Sequence, residues 1–186
     1  MKVSFHNSIE EISKKSWDAL IGDLNYPFLR HDFLKTLEIT NCVGTNTGWI
    51  PIHITIERDE ELIAAMPLYL KSHSQGEFVF DHSWANAFYQ HGLDYYPKLV
   101  SSIPHTPASG PRFLMKDGEE KSVLFGKIKE GVKMISSKNN ISSWHILFPE
   151  KDEINFYENS QLSIRKNAQF IWLSLIHISE PTRRNS

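Results

Sequence analysis

Four isoleucines at every second position, from residue 50 to residue 56, place the strongest constraint on the fold of this chain. Strict alternation of apolar and polar residues predicts a β-strand that is buried on one face. A charged run at residues 58–61 follows, and residues 62–71 are apolar almost throughout, so we expect a β-hairpin whose second strand is buried on both faces. Pro67 has no backbone N–H, which predicts a bulge or an unpaired position in that second strand.

Helices and further strands are expected on both sides of this hairpin. Ser8 and Glu11 form a capping-box pattern that predicts a helix ending before Pro27, and apolar spacing predicts a second helix from about His31 to Thr40. A long helix is expected from Asp117 or Gly118 to Lys138, and a short one after Pro149. Strands are expected at residues 2–6, 113–115, 142–148 and 162–172. The order predicts an α+β (mixed α/β) fold with helices covering a central sheet.

Composition excludes several classes of protein. Aromatic residues make up 12% of the chain, enough apolar surface for an ordered core. The formal net charge is −2, which gives no general attraction to DNA or to anionic membranes. Cys42 is the single cysteine, which fits a reducing compartment. No apolar run approaches the length of about 20 residues that a membrane span needs, so we expect a cytoplasmic protein without a membrane partner.

The last fourteen residues do not read as part of the domain. From Leu173 to Arg183 they resemble the conceptual translation of a transposon-end sequencing adapter. We therefore expect residues 173–186 to be a non-native, disordered tail and residues 1–172 to be the natural domain, truncated near Trp172. Without the tail, 18 basic residues stand against 21 acidic ones.

Polar residues that could carry chemistry concentrate between residues 76 and 112. Asp81 and His82 supply a carboxylate and an imidazole, the groups that proton transfer uses, and Lys98 and Arg112 supply cations for an anion. Two structural alternatives stay open. Asp81 would also serve as a helix cap, and the Tyr95-Tyr96 pair would also serve as core packing. A metal site is not expected, because the histidines and aspartates of this segment match no ligand spacing.

Several strings in this region resemble the FemAB-like group of GNAT-fold acyltransferases. They are residues 67–81, Trp84-Ala85, Tyr95-Tyr96-Pro97-Lys98-Leu99, Thr106-Pro107, Gly110 and Arg112, and the resemblance runs from Trp17 to Trp172. It implies a GNAT-like sheet flanked by helices and a partner in the form of a missing C-terminal GNAT-like half. It also implies acetyl-CoA, another acyl-CoA or aminoacyl-tRNA as donor. The Gly-rich CoA loop of such enzymes is matched only in part, by residues 109–112.

The resemblance implies transfer of an acyl or aminoacyl group to an amine on a small molecule or a peptide, with this half inactive by itself. Asp81 and His82 are the candidate catalytic residues. The candidate substrate-binding residues are Trp84, Tyr95, Tyr96, Lys98, Thr106, Gly110 and Arg112. The alternative is a non-catalytic module that recognises a cell-wall precursor or a peptide through its aromatic segment.

Overall fold

The computed structural model describes residues 1–23 and 25–166. Its strands and helices follow the predicted order closely. The strands are β1 (Lys2–His6), β2 (Trp49–Pro51), β3 (His53–Arg58), β4 (Glu61–Met66), β5 (Tyr69–Lys71), β6 (Lys98–Ser101), β7 (Leu114–Met115) and β8 (Trp144–Ile146). The α-helices are α1 (Lys14–Ile21), α2 (His31–Ile39), α3 (His82–Gln90), α4 (Lys121–Lys138) and α5 (Ile154–Asn159).

The predicted hairpin is confirmed, and it divides between two sheets. Its outer half pairs β3 with β4 in a sheet of order β1-β3-β4-β7, and its inner half pairs β2 with β5 in a sheet of order β2-β5-β6-β8. The division falls at Ile52 and at Pro67, so the irregularity predicted from the proline separates the two sheets. The Ile52 N–H still bonds the Leu68 carbonyl at 2.9 Å, which keeps the two halves in one hairpin.

The inner sheet contains the one parallel pair among the described strands. β6 and β8 run in the same direction, with Val100 opposite His145, and α4 lies in the connection between them. One face of this sheet packs on α4 through Leu99 and Trp144, in a core that includes Phe125 and Ile128. The opposite face carries Trp49, Tyr69, Lys71, Lys98 and His145, because alternate positions along a strand point to opposite sides.

Several of the expected elements differ in their bounds. The strand expected at residues 142–148 is shortened to Trp144–Ile146. Ser8 caps a short 3-10 turn, Ile9–Glu11, and α1 begins only at Lys14 with Ser13 as its cap. The long helix begins at Lys121, three residues after Gly118. Residues 162–166 are not a strand, and the rest of the expected strand at 162–172, like the tail at 173–186, lies outside the described residues. No helix in the described ranges is long and apolar enough to cross a membrane.

Candidate functional site

Four of the predicted site residues meet on the face of the inner sheet that points away from α4. They are Asp81, Tyr95, Tyr96 and Lys98. Lys98 begins β6 beside Lys71 on β5, since the two residues pair across the strands. The segment from residue 72 to residue 81 then folds over them. It brings Glu77 and Asp81 onto Lys98, and residues 95–96, just ahead of β6, add two tyrosines. We call Lys71, Glu77, Asp81 and Lys98 the buried ion cluster.

Lys98 is the centre of this cluster, and its side chain is fully buried. Its Nζ lies 2.5 Å from Asp81 Oδ2, 2.8 Å from Glu77 Oε2 and 2.8 Å from Ser74 Oγ. Three acceptors match the three N–H donors of an ammonium group, so the buried charge is fully hydrogen-bonded.

Asp81 occupies the position before α3, but its side chain does not cap the helix. Its Oδ2 instead accepts hydrogen bonds from Lys98, from Ser74 Oγ at 2.8 Å and from Tyr95 OH at 2.8 Å. Burial raises the pKa of the Asp81 carboxyl, but these hydrogen bonds outweigh burial and hold the pKa below its usual range. Asp81 is therefore an anion that matches Lys98, and it is a weak base.

Glu77 is the second carboxylate that pairs with Lys98. It is 2% exposed, and among the described residues its Oε1, like Asp81 Oδ1, has no hydrogen-bond partner. Burial raises the pKa of Glu77, and the attraction of Lys98 and Lys71 offsets only part of that rise. Lys71 Nζ donates to the Gln75 carbonyl at 3.0 Å and lies 3.8 Å over the Trp49 ring, and burial lowers the pKa of Lys71 to about 8.

Two hydroxyl groups connect the cluster to its half-buried edge. Ser74 Oγ donates to Asp81 and accepts from Lys98, and Tyr96 OH lies 2.8 Å from the same Ser74 Oγ. Ser74 and Tyr96 are both half-buried. A continuous line of hydrogen bonds thus runs from the Tyr96 phenol through Ser74 to the Asp81 carboxylate.

Sequence reasoning missed Ser74, Glu77 and His145. His145 lies on β8, on the same face as Lys98, and its Nε2 is 2.9 Å from Ser143 Oγ. Burial and then the Lys98 ammonium lower the pKa of His145 to about 4, so the imidazole is neutral at pH 7. The sequence did contain a signal for His145. It lies between the apolar residues Trp144 and Ile146, so alternation along the strand places it on the face opposite to theirs.

The remaining predicted residues lie away from the cluster. His82 and Trp84 are both exposed on the first turn of α3, and Trp84 is 52% exposed. Thr106 is half-buried, and its hydroxyl donates to the Pro104 carbonyl at 3.1 Å. Their roles in substrate binding or catalysis stay predictions.

Arg112 is buried and ties two loops together. Its guanidinium donates to the Leu147 carbonyl at 2.8 Å, to Gly110 at 3.1 Å, to Pro111 at 3.3 Å and to Ala108 at 2.5 Å. The Gly110 N–H adds a bond to the Phe148 carbonyl at 3.2 Å. Because backbone carbonyls use these donors, Arg112 holds the loop at 108–112 against the end of β8. A contact between Arg112 and a ligand anion stays a prediction, and this geometry does not favour it.

The segment around α3 exposes a group of large apolar side chains. Their exposed fractions run from 52% for Trp84 to 78% for Phe80, and the group comprises Phe78, Phe80, Trp84, Tyr89 and Leu93. A shallow groove of about 440 Å³ lies among Trp84, Phe88, His91 and Leu93. No three His, Cys, Asp or Glu side chains in the described part of the chain are arranged to hold a metal ion.

Comparisons with known proteins agree with this architecture. The model of a FemAB-like family, described as peptidoglycan biosynthesis/recognition, matches residues 8–176. An aminoglycoside antibiotic 6'-N-acetyltransferase from Acinetobacter haemolyticus is 10% identical, with a TM-score of 0.54 over 94% of this chain and 97% of that one. A ribosomal-protein-alanine N-acetyltransferase from Brucella melitensis is 7% identical, with a TM-score of 0.55 over 93% and 100%. These likenesses show the GNAT fold. None of the curated proteins matches the chain.

Proposed function

The chain belongs to the FemAB-like peptidoglycan biosynthesis/recognition family, and on that premise we propose that it is the N-terminal part of an N-acyltransferase. The enzyme transfers an acyl or aminoacyl group to the amine of a small molecule or a peptide. In this reaction the amine nitrogen forms a bond to the acyl carbon, and the thioester C–S bond or the ester C–O bond breaks. The nitrogen loses a proton, and the leaving group gains one.

The observation that carries this proposal is the hydrogen-bonded line from Tyr96 through Ser74 to Asp81, beside the Lys98 ammonium. Attack on an acyl carbon places negative charge on the carbonyl oxygen and positive charge on the amine nitrogen. Because Ser74 gives its own proton to Asp81, Tyr96 donates its O–H to Ser74, and the Tyr96 oxygen at the half-buried edge is left to accept the amine proton. As it does so, the Tyr96 proton moves to Ser74 and the Ser74 proton moves to Asp81, so Asp81 is the final acceptor and Lys98 acts as a positioning residue.

The acyl donor is bound elsewhere in the whole enzyme. Ligands of open α/β sheets bind at the carboxyl ends of parallel strands, and beyond β6 and β8 the loop held by Arg112 occupies that position. The start of α4 is also unsuited to phosphates, because Glu119 and Glu120 precede it and Glu153 pairs with Lys121 there. We propose that a second, C-terminal GNAT-like half binds the acyl-CoA or aminoacyl-tRNA, in the cytoplasm where such donors are made.

Two assays test this proposal. The 186-residue chain, incubated with acetyl-CoA and a panel of amines, is expected to release no free CoA, and clear turnover would contradict the inactivity of this part. The product of the uninterrupted reading frame is expected to transfer an acyl group. In it, Tyr96→Phe should lower kcat by about 100-fold, in line with the loss of a proton-transfer group. The control is Tyr89→Phe, which removes an exposed phenol on α3.

A second candidate function is supported by the apolar side chains around α3. Four aromatic side chains on α3 and the segment before it are exposed, and one of them, Trp84, lines a groove of about 440 Å³. Exposed apolar side chains of this kind are typical of a binding surface, and they favour a module that recognises a cell-wall precursor or a peptide. Titration of the chain with a soluble peptidoglycan stem peptide, followed by tryptophan fluorescence, tests this alternative. Binding that is lost in Trp84→Ala, together with an inactive uninterrupted protein, would favour recognition over transfer.

A further inference from the structure

A short loop at residues 78–80 is held at both ends by the buried ion cluster. Glu77 precedes the loop and Asp81 follows it, and both carboxylates accept hydrogen bonds from Lys98 Nζ, at 2.8 Å and 2.5 Å. Between them Val79 is half-buried and packs against a group of buried apolar residues. The ion pairs therefore fix the position of a loop that belongs to no helix or strand.

The two phenylalanines of this loop are exposed to solvent. Phe80 is 78% exposed, the highest fraction among the large apolar side chains of the described residues, and Phe78 is 58% exposed. Phe78 also has a φ of 57°, a left-handed backbone conformation that is unfavourable for a bulky residue. Since neither ring is buried within one molecule, the chain gains no apolar burial in return. Strained backbone and exposed apolar rings together are typical of a recognition site.

An apolar groove lies beside the loop. It has a volume of about 440 Å³ and is lined in part by Trp84, Phe88 and Leu93, and no Asp, Glu, Lys or Arg among the described residues lines it. Arg165 connects the groove to the loop, because its guanidinium donates to the Phe80 carbonyl at 2.7 Å and lies 5.7 Å from the centre of the Trp84 ring. A projecting ring and a groove are therefore neighbours on one surface.

The exposed apolar area of this surface is close to what a pair of proteins needs. A whole aromatic side chain has roughly 150–250 Å², so the four exposed rings present about 500 Å². A standard interface covers about 800 Å² on each partner, with an apolar centre and a polar rim. The rings therefore supply the centre of such an interface.

The shape of the surface favours one kind of partner. A short peptide would fill the groove but leave the two phenylalanine rings in water. A second copy of the chain covers both features, because in a two-fold pair each molecule places its projecting ring in the groove of the other and receives one in return. The uncharged lining of the groove suits such a pair, since the centres of interfaces are depleted in charged residues.

We propose that two copies of this chain pair through the α3 patch, which comprises Phe78, Phe80, Trp84, Tyr89 and Leu93, with the Phe80 ring of each copy in the groove of the other. The proposal goes beyond the proposed function, because pairing requires neither an acyl donor nor an acceptor. It also gives the buried ion cluster a structural role, since its two carboxylates hold the loop that carries Phe80.

Sedimentation velocity of the 186-residue chain over a range of concentrations tests the proposal. We expect a reversible equilibrium between monomer and dimer. Phe80→Ser should weaken pairing by at least about tenfold, because aromatic anchors at the centre of an interface carry much of its affinity. The matched control is Phe28→Ser, which removes an exposed ring outside the α3 patch and should change the dissociation constant by less than about twofold.

A second variant separates defined pairing from non-specific adhesion of apolar surfaces. Ala87 is exposed and lines the groove, so Ala87→Phe adds apolar area while it fills the space that the ring of the second copy enters. Defined pairing predicts a dimer weakened by about tenfold, whereas non-specific adhesion predicts equal or stronger association. Thermal melting of all three variants checks that they fold.

Several results would overturn the proposal. One is a chain that stays monomeric at its highest soluble concentration, and a stem peptide bound by that monomer would identify the groove as a ligand site instead. Assembly beyond two copies would also contradict it, because a two-fold contact closes at the dimer. So would an equal loss of pairing in Phe28→Ser, or an undiminished association of Ala87→Phe.

Discussion

The buried ion cluster and a depression of about 1220 Å³ on the outer sheet both concentrate carboxylates, but only the cluster pairs its carboxylates with a buried ammonium group. In the cluster Lys98 meets both Asp81 and Glu77 and has a partner for each of its donors, and all four side chains of the cluster are buried. The depression, which we call the acidic groove, is lined by α1, the turn between β3 and β4, β7 and residues 150–153, and eight carboxylates meet three lysines there. Buried, paired charges fix the position of a loop, whereas open carboxylates of one sign repel one another.

The first prediction tests the matched region and carries the largest expected effect. Lys98→Met should destabilise the fold by about 3–5 kcal/mol, because it leaves Asp81 and Glu77 buried without their ion-pair partner. Urea denaturation measures the loss. The control is Lys127→Met on the exposed face of α4, where the pair with Glu130 contributes less than about 0.5 kcal/mol. A Lys98→Met protein within about 1 kcal/mol of the parent would mean that the cluster is not matched as described.

The second prediction separates the two carboxylates of the cluster. Asp81→Asn should cost about 2–3 kcal/mol, because Oδ2 accepts three hydrogen bonds as an anion. Glu77→Gln should cost about 1 kcal/mol or less, because burial already raises the pKa of Glu77 and favours its neutral form. Chemical denaturation of the two variants at pH 7 gives both values.

The pH dependence of the Asp81→Asn penalty tests whether the negative charge of Asp81 stabilises the fold. The pKa of Asp81 is lowered in the folded state, so its contribution to stability is present above the unfolded pKa of about 3.9 and is lost as the pH falls through the folded value. The penalty for Asp81→Asn should therefore shrink below about pH 4. A penalty that is equal at pH 7 and at pH 3 would contradict the role of the charge.

The sequence predicted the fold well, because the signals were local. Isoleucine alternation and the proline at position 67 located both the hairpin and its break, and apolar spacing located α2 and α4. The first residues of the helices were predicted less accurately. Ser8 and Ser13 are both suitable N-cap residues, and in the structure it is Ser13 that caps α1. The resemblance of the sequence to GNAT-fold acyltransferases implied a GNAT fold, and the similar solved structures confirm that fold.

The candidate site could be predicted only in part, because its contacts are long-range. Asp81, Tyr95, Tyr96 and Lys98 were selected from one segment, and the structure does bring them together. Which partner each would meet depends on how residues 72–81 fold over β5 and β6, and no local pattern encodes that. His145 reaches the same face through parallel pairing with β6, which sequence spacing does not reveal.

The last prediction concerns the acidic groove, and its expected effect is the smallest. Burial, with Glu153 and Asp152, raises the pKa of Glu150, so the ionised carboxylate opposes folding at neutral pH. This cost is relieved as the pH falls through the folded pKa towards the unfolded value of about 4.3. Glu150→Gln should therefore raise Tm by about 1–2 °C at pH 7 and by less at pH 4, as scanning calorimetry would show. A lower Tm, or an equal gain at both pH values, would mean that carboxylates in the groove do not repel one another. Opposite signs for Asp81→Asn and Glu150→Gln at pH 7 would separate a charge that stabilises the fold from one that opposes it.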